Sequence, residues 1–370
     1  MKVLLISTNH NLLTIGGPES SLLAHYREIF TATDVLVLSQ STPAHTLRLS
    51  PTVRIESLSL PVTTLSLRQV WQKAKEILLN REFTKEDCLV VDSTQTILWF
   101  FGYLLAKKKH VRWHLTVPHL IPFNTKTVGV MENLIRRWLL ARVSSVRVGT
   151  KQVATWLVKE VGLDTSRVYN LPPFMDVTEI EEEEASIDLH ARYIQYDHIM
   201  LSIYKHGAET TLPLMLKATR RLLHQGYHPG LILVGYRLDQ ATKKLIKRLG
   251  ISHSVVFRES GVDTLSYLKS ADYYLALAPT TGFDADLVKA AIVRLPIITS
   301  STDAEQEVLR ASDTTIILPS LTDRALTEKL IYLIRHKNLA GSVATRAWSA
   351  VHERKMSVSE YLNTLRNSLF

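Results

Sequence analysis

The sequence predicts an α/β protein made of two consecutive doubly wound domains, and three observations carry that prediction. Short apolar runs alternate with longer amphipathic stretches along almost the whole chain, the pattern of buried parallel strands joined by helices. The alternation breaks once, between residues 179 and 197, and then restarts. At 370 residues the chain exceeds one ordinary core and suits two domains of common size.

The elements follow in order. Residues 2–7 form an apolar run that ends in polar residues and then Gly16-Gly17, which reads as a strand feeding a loop. A helix over 19–30 places Leu22, Leu23, Tyr26, Ile29 and Phe30 on one face, and a strand over 34–38 follows at once. That strand–loop–helix–strand order opens a doubly wound sheet. Further strands are predicted at 53–58, 88–92, 111–117 and 145–148, with helices at 67–80, 96–106, 129–142 and 151–161. Glu181-Glu-Glu-Glu184 then reads as a solvated linker or helix face. Beyond it, strands are predicted at 199–203, 230–234, 254–257, 273–277, 296–299 and 314–317. Helices fall between them, including one at 303–311, and a last stretch from about 340 is helical in pattern. The predicted domains are 1–178, 179–345 and a C-terminal helical segment, 346–370.

Composition narrows the function classes. A hydrophobic fraction of 46% with 21% charged residues is that of a soluble globular protein rather than a disordered chain. The single cysteine, Cys88, excludes an internal disulfide and a cysteine cage for zinc, and its apolar surroundings predict a buried structural thiol. No segment reaches the roughly 20 apolar residues of a membrane helix, and residues 1–8 lack the pattern of a signal peptide, so the expected location is cytoplasmic. A formal charge of +9 would attract nucleotide diphosphates, nucleic acid or anionic lipid alike.

Four motifs, taken in order, narrow the fold further. Ile15-Gly-Gly-Pro-Glu-Ser-Ser-Leu-Leu-Ala-His-Tyr26 offers a glycine loop and a helix start right after the first strand, where backbone can approach a phosphate or sugar. Val111-Arg-Trp-His-Leu-Thr-Val-Pro-His119 places His119 just beyond a strand, with His114 inside it and expected to be buried or paired. The passage 148–176 ends on Asp176. Leu231-Ile-Leu-Val-Gly235 and Val255-Val-Phe257 with Gly261 supply strand–glycine signals in the second half, and Arg294-Leu-Pro-Ile-Ile-Thr299 continues the series. Together the series resembles the large retaining glycosyltransferase family with the GT-B fold often called family 4, over about 310 residues.

The resemblance implies two Rossmann-like domains facing across a cleft, with the C-terminal helix packing back on the first domain. It implies a nucleoside-diphosphate sugar as co-substrate, no cofactor and no metal, since cations and helix N-termini neutralise the leaving diphosphate. By resemblance, Gly16 and Gly17 admit the donor, Glu19 belongs to the acceptor-side loop, and His119 faces the sugar. Lys205, Gly235, Gly261, Gly282, Phe283 and Lys289 fall to donor binding.

The chain departs from the family pattern at its most diagnostic element. Two glutamates normally flank a glycine–phenylalanine loop; here Pro279-Thr-Thr-Gly-Phe-Asp-Ala-Asp-Leu-Val-Lys-Ala290 keeps Gly282 and Phe283 but has Thr281 and Lys289 at the glutamate positions. A lysine only donates where a carboxylate would accept two bonds from a ribose diol. Asp284 and Asp286 read either as helix caps or as a displaced acidic group, Asp284 being the candidate catalytic carboxylate. Lys205 stands for the family's phosphate-binding arginine, while Thr210 occupies the position of its lysine.

Two surface features stay open at this level. The segment Asn133-Leu-Ile-Arg-Arg-Trp-Leu-Leu-Ala-Arg142 alternates Leu134, Trp138 and Leu139 with Arg136, Arg137 and Arg142. It reads as an ordinary core-facing helix with basic solvent residues, or as a helix in peripheral contact with an anionic membrane. Lys243-Lys-Leu-Ile-Lys-Arg248 reads as a solvated helix face. The expected function is sugar transfer to a glycan, lipid or protein acceptor. An inactive relative that binds an active transferase is the alternative, and a DNA-modifying transferase is permitted by charge but supported by no nucleic-acid module.

Overall fold

The structure is a computed structural model that describes residues 1–14, 17–39, 46–59, 64–80, 82–120, 129–205, 207–278, 282–300, 309 and 313–369. Gly16, Thr281 and, apart from Leu309, the helix expected at 303–311 lie outside the described residues. The chain divides into two compact units, Met1–Met175 with Met356–Phe370, and Asp176–Lys355.

Among the described residues the first unit carries eight strands: β1 (Lys2–Ser7), β2 (Ala32–Ser39), β3 (Thr46–Arg48), β4 (Val53–Ser59), β5 (Cys88–Asp92), β6 (Arg112–Val117), β7 (Ser145–Val148) and β8 (Val168–Asn170). They lie in the order β3-β4-β2-β1-β5-β6-β7-β8. All neighbours are parallel except β3 and β4. The short strands β3 and β8 were not expected from the sequence, being too brief for a periodic signal.

Side-chain alternation sends Leu4, Ile6, Leu89 and Val91 to one face, where the Thr96–Lys109 helix buries Leu98, Trp99 and Leu105. Val3, Val35, Ile55 and Cys88 point to the other, against Leu23, Tyr26 and the C-terminal helix Val358–Asn367 through Tyr361, Leu362 and Leu365. The expected return of the C-terminal helix to the first unit is therefore observed. Ser357 and Glu360 close a capping box at its start, and Ser145 Oγ donates to the Ser368 carbonyl at 2.5 Å near its end. Cys88 is fully buried, and burial pushes its thiol up to about 12, as a structural cysteine requires.

The second unit carries six parallel strands among the described residues: β9 (His198–Ile203), β10 (Pro229–Val234), β11 (Val255–Arg258), β12 (Tyr273–Ala276), β13 (Ile297–Ser300) and β14 (Ile316–Leu318). Their order is β11-β10-β9-β12-β13-β14. The chain thus runs outward from β9 on one side, returns, and runs outward again from β12. In both sheets the reversal point lies between neighbours, β1/β5 and β9/β12, and ligands of such sheets sit at the strands' carboxyl ends there.

The unit boundaries differ from those read in the sequence. The helix Lys337–His352 runs through position 345 unbroken, because Ala340, Val343, Ala344, Ala347 and Val351 are all buried within the second unit. The first boundary falls at 175/176, where Asp176 caps the helix Val177–Glu182 by accepting from the Glu179 N–H at 3.0 Å. The acidic block is exposed throughout, with Glu181 and Glu182 on the face of the helix Val177–Glu182, and Glu181 also accepts from Trp348 Nε1 at 2.5 Å and lies 3.3 Å from His352 Nε2.

Candidate active site at the carboxyl ends of the sheets

In the second unit the reversal point brings together residues far apart in sequence. Lys205 follows β9, while Gly282, Phe283 and Asp284 follow β12 and lead into the helix Ala285–Ile292. Lys205 Nζ lies 3.2 Å from Asp284 Oδ1 and is bonded directly to Asp286 Oδ2. Asp284, 4% exposed, also caps its helix by accepting from the Asp286 and Leu287 N–H groups, each at 3.1 Å. Thr264 Oγ1, from the helix after β11, reaches Asp286 Oδ1 at 3.4 Å.

The electrostatics follow from this geometry. Burial alone would pull the Lys205 ammonium down, but the attraction of Asp284 and Asp286 outweighs it and leaves Lys205 raised above its ordinary value of 10.5. One ammonium against two carboxylates leaves one negative charge on the cluster. Lys289 stands three residues beyond Asp286, on the same side of the helix, and adds a cation. The capping role foreseen for Asp284 is present; its ion pair with Lys205 was not legible, since it joins positions 79 residues apart.

Gly235 and Gly261 sit just past β10 and β11 with φ of +75° and +103°, a backbone conformation that side-chain-bearing residues rarely adopt. Gly235 donates its N–H to the Arg258 carbonyl at 2.8 Å, and a Cβ there would meet Tyr204 Cβ at 3.2 Å. A cavity of 660 Å³ opens beside it, walled by Tyr204, Tyr236, Arg237, Leu212, Pro213 and Thr242 among others. Sequence reasoning missed both tyrosines. Their rings meet edge to face at 5.5 Å, Ser202 Oγ and Tyr236 OH are 2.9 Å apart, and burial pushes the Tyr236 phenol up to about 12. The available signal was position: each tyrosine comes within two residues of a strand's carboxyl end.

In the first unit, Ser7 Oγ at the end of β1 donates to Asp92 Oδ2 at the end of β5, 2.9 Å away. Asn11 Nδ2 donates to Glu19 Oε1 at 3.1 Å, tying the loop after β1 to the helix Pro18–Ala24. Gly17 donates its N–H to the Thr14 carbonyl at 3.1 Å, so that donor is committed within the loop. His119 lies exposed just past β6. His114 is buried as expected, with Nδ1 2.6 Å from Ser145 Oγ.

Burial, aided by the nearby Arg112 charge, pushes His114 down to about 3. Its ordinary value is 6.5. Between those values the unfolded chain binds a proton that the folded chain refuses, so stability falls as pH drops below 6.5. His114→Gln should abolish this term, worth about 2 kcal/mol at pH 5. Thermal melting at pH 7 and pH 5 checks it: equal acid losses in the two proteins would refute the assignment.

Among the described residues no three His, Cys, Asp or Glu side chains cluster to hold a metal ion, and no helix is long and apolar enough to cross a membrane.

Two Rossmann-like sheets with this strand order define the GT-B glycosyltransferase fold, and the chain has that fold. Residues 200–336, spanning the Lys205–Asp284–Asp286 cluster, match the family described as glycosyl transferases group 1. Sucrose-phosphate synthase from Thermosynechococcus elongatus superposes with a TM-score of 0.78 at 14% identity, covering 98% of this chain and 96% of its own. Anabaena HepE in complex with UDP and glucose gives 0.74 at 14%, covering 100% and 99%. A UDP-forming α,α-trehalose-phosphate synthase from Burkholderia xenovorans gives 0.69 at 11%, covering 99% and 98%. No curated protein sequence matches the chain.

Proposed function

We propose that the protein transfers a sugar, with retention, from a nucleoside-diphosphate sugar to an acceptor bound by the first unit. The observation that carries this is Lys205, a cation held at the β9/β12 reversal point within the segment that matches group 1 transferases. Such a cation stabilises a leaving diphosphate as its negative charge develops. The 660 Å³ cavity beside Gly235 has the size of a small-molecule site, and HepE, similar over its whole length, holds UDP-glucose in one of its structures.

In this reading Lys205 exchanges a carboxylate partner for the diphosphate. Asp284 and Asp286 keep the ammonium charged and aimed when no donor is bound. Backbone near Gly282 and Phe283 assists at the leaving group, Lys289 meets a phosphate, and Gly235 and Gly261 let the chain approach the nucleotide. Gly17 lets the loop after β1 approach the donor, Glu19 belongs to the acceptor-side loop, and His119 orients the sugar through a hydrogen bond.

One observation favours a second reading, an inactive relative that binds an active transferase. The phosphate-facing cation is already matched by two carboxylates, and the family's glutamate positions carry Thr281 and Lys289. Incubation with a panel of nucleotide sugars separates the two. Release of free nucleoside diphosphate supports transfer. A thermal shift with donor but no release supports the inactive relative, and neither shift nor release with any donor overturns the donor site itself.

A further inference from the structure

We propose that the first unit docks on an anionic lipid surface through the outward side of two neighbouring helices, Thr96–Lys109 and Val130–Leu140. On the second helix Val130, Met131, Leu134, Ile135 and Trp138 are exposed, the first three by 78%, 71% and 58%. At 100° per residue these five span one continuous arc, opposite the arc that buries Arg136, Leu139 and Leu140. A helix apolar on both sides belongs inside a core or against another apolar phase. Among the described residues nothing supplies that second phase.

The arginines sort differently from the sequence pattern. Arg136 turns inward, where Nε donates to Thr96 Oγ1 at 2.6 Å and Nη2 to Glu132 Oε1 at 2.8 Å. Leu134 and Trp138, whose pattern fits either a core-facing or a membrane-facing side, face out, while Leu139 is buried. Contacts between the helices fix their direction: Thr96 meets Glu132 at 2.7 Å, and the Tyr103 and Trp138 rings meet at 4.9 Å. The helices therefore run parallel. Their N-terminal ends gather Ile97, Phe100, Val130, Met131 and Leu134, and their C-terminal ends gather Lys107, Lys108 and Arg142.

Charge selects the occupant. Lys107, Lys108, Arg137 and Arg142 are exposed here, and the one acid of residues 93–142, Glu132, is engaged by Thr96 and Arg136. Arg142 stacks on the Trp138 ring at 4.0 Å, a pairing of aromatic and cation suited to a headgroup layer. Apolar side chains beside a cationic edge fit acyl chains beneath anionic headgroups. The N-terminal ends of these helices also lie at the carboxyl ends of β5 and β6, the side where the first unit would receive an acceptor.

The test uses the full chain and sedimentation with phosphatidylcholine vesicles, with and without phosphatidylglycerol. The wild type should sediment with the anionic vesicles and not the neutral ones, and binding should weaken at 1 M salt as screening shortens. The combined variant Val130→Ser, Met131→Ser, Leu134→Ser should bind roughly tenfold more weakly by losing apolar burial, and Lys107→Glu with Lys108→Glu should do likewise by losing charge. All these residues are exposed, so melting temperatures should stay at the wild-type value and exclude misfolding. Equal binding to both vesicle types, or undiminished binding by the serine variant, would overturn the proposal. So would a dimer in solution that dissociates on the serine substitutions, which would assign the face to a second copy. None of these readouts requires turnover, so failure here and failure of the transferase reading are distinguishable.

Discussion

Lys205→Met should cut nucleoside diphosphate release by roughly 100-fold or more, the scale seen when one charge-stabilising group is removed from a transition state. The same change should lower stability by about 2 kcal/mol, less than the 3–5 typical of a fully buried pair, because the Lys205 side chain is 29% exposed. Without the ammonium, Asp284 and Asp286 face each other across a site where Asp284 has almost no water. The two effects can be separated. Adding Asp286→Asn removes the like charge and should restore most of the stability while leaving release at the reduced level. If the double variant recovers turnover, Lys205 serves structure only. The sign of the pH dependence follows from the raised Lys205 pKa: its contribution is complete below 10.5 and is lost as pH rises through the higher folded value. Wild type and variant should therefore converge only in strongly alkaline solution.

Gly230→Ala should be the most damaging single methyl group in the second unit, costing about 3 kcal/mol or preventing its folding. Gly230 lies in β10, paired with Ile199 of β9. A Cβ there would stand 2.1 Å from Tyr196 Cδ2 and 2.6 Å from Cγ, inside any allowed contact. The ring has little freedom to retreat. Tyr196 is 6% exposed, its hydroxyl donates to the His253 carbonyl at 2.6 Å, and Tyr193 stacks on it with centroids 5.7 Å apart. Denaturant titration of the variant measures the loss. Adding Tyr196→Leu, which vacates the space, should recover part of it. A Gly230→Ala protein as stable as the wild type would refute this packing account.

Much of the fold was legible because strand and helix periods are local. Val3 and Leu4 declare opposite faces of a strand within two residues, and the helix 212–224 declares its buried side within three turns. The strand–glycine signals at Gly235 and Gly261 were legible for the same reason: a positive φ at a turn strongly favours glycine. The helix Val130–Leu140 was read with the wrong partition, because leucine and tryptophan on one side and leucine on the other give two apolar arcs. Only neighbours choose which arc is buried. Glu181 is an exposed charge, as its acidic neighbours suggest, but only the helix Lys337–His352 brings Trp348 and His352 to it.

The sequence by itself determined the α/β class, the restart near residue 198, and the loops that end each strand. It also placed Lys205, Gly282, Phe283 and Asp284 at those loops, since a parallel sheet puts every strand end on one side. Only the tertiary structure decided that β9 and β12 are neighbours, and therefore that Lys205 meets Asp284 and Asp286. Strand order is set by how whole helices and sheets pack, and no local pattern encodes it. The charge state of the candidate site follows from that one adjacency.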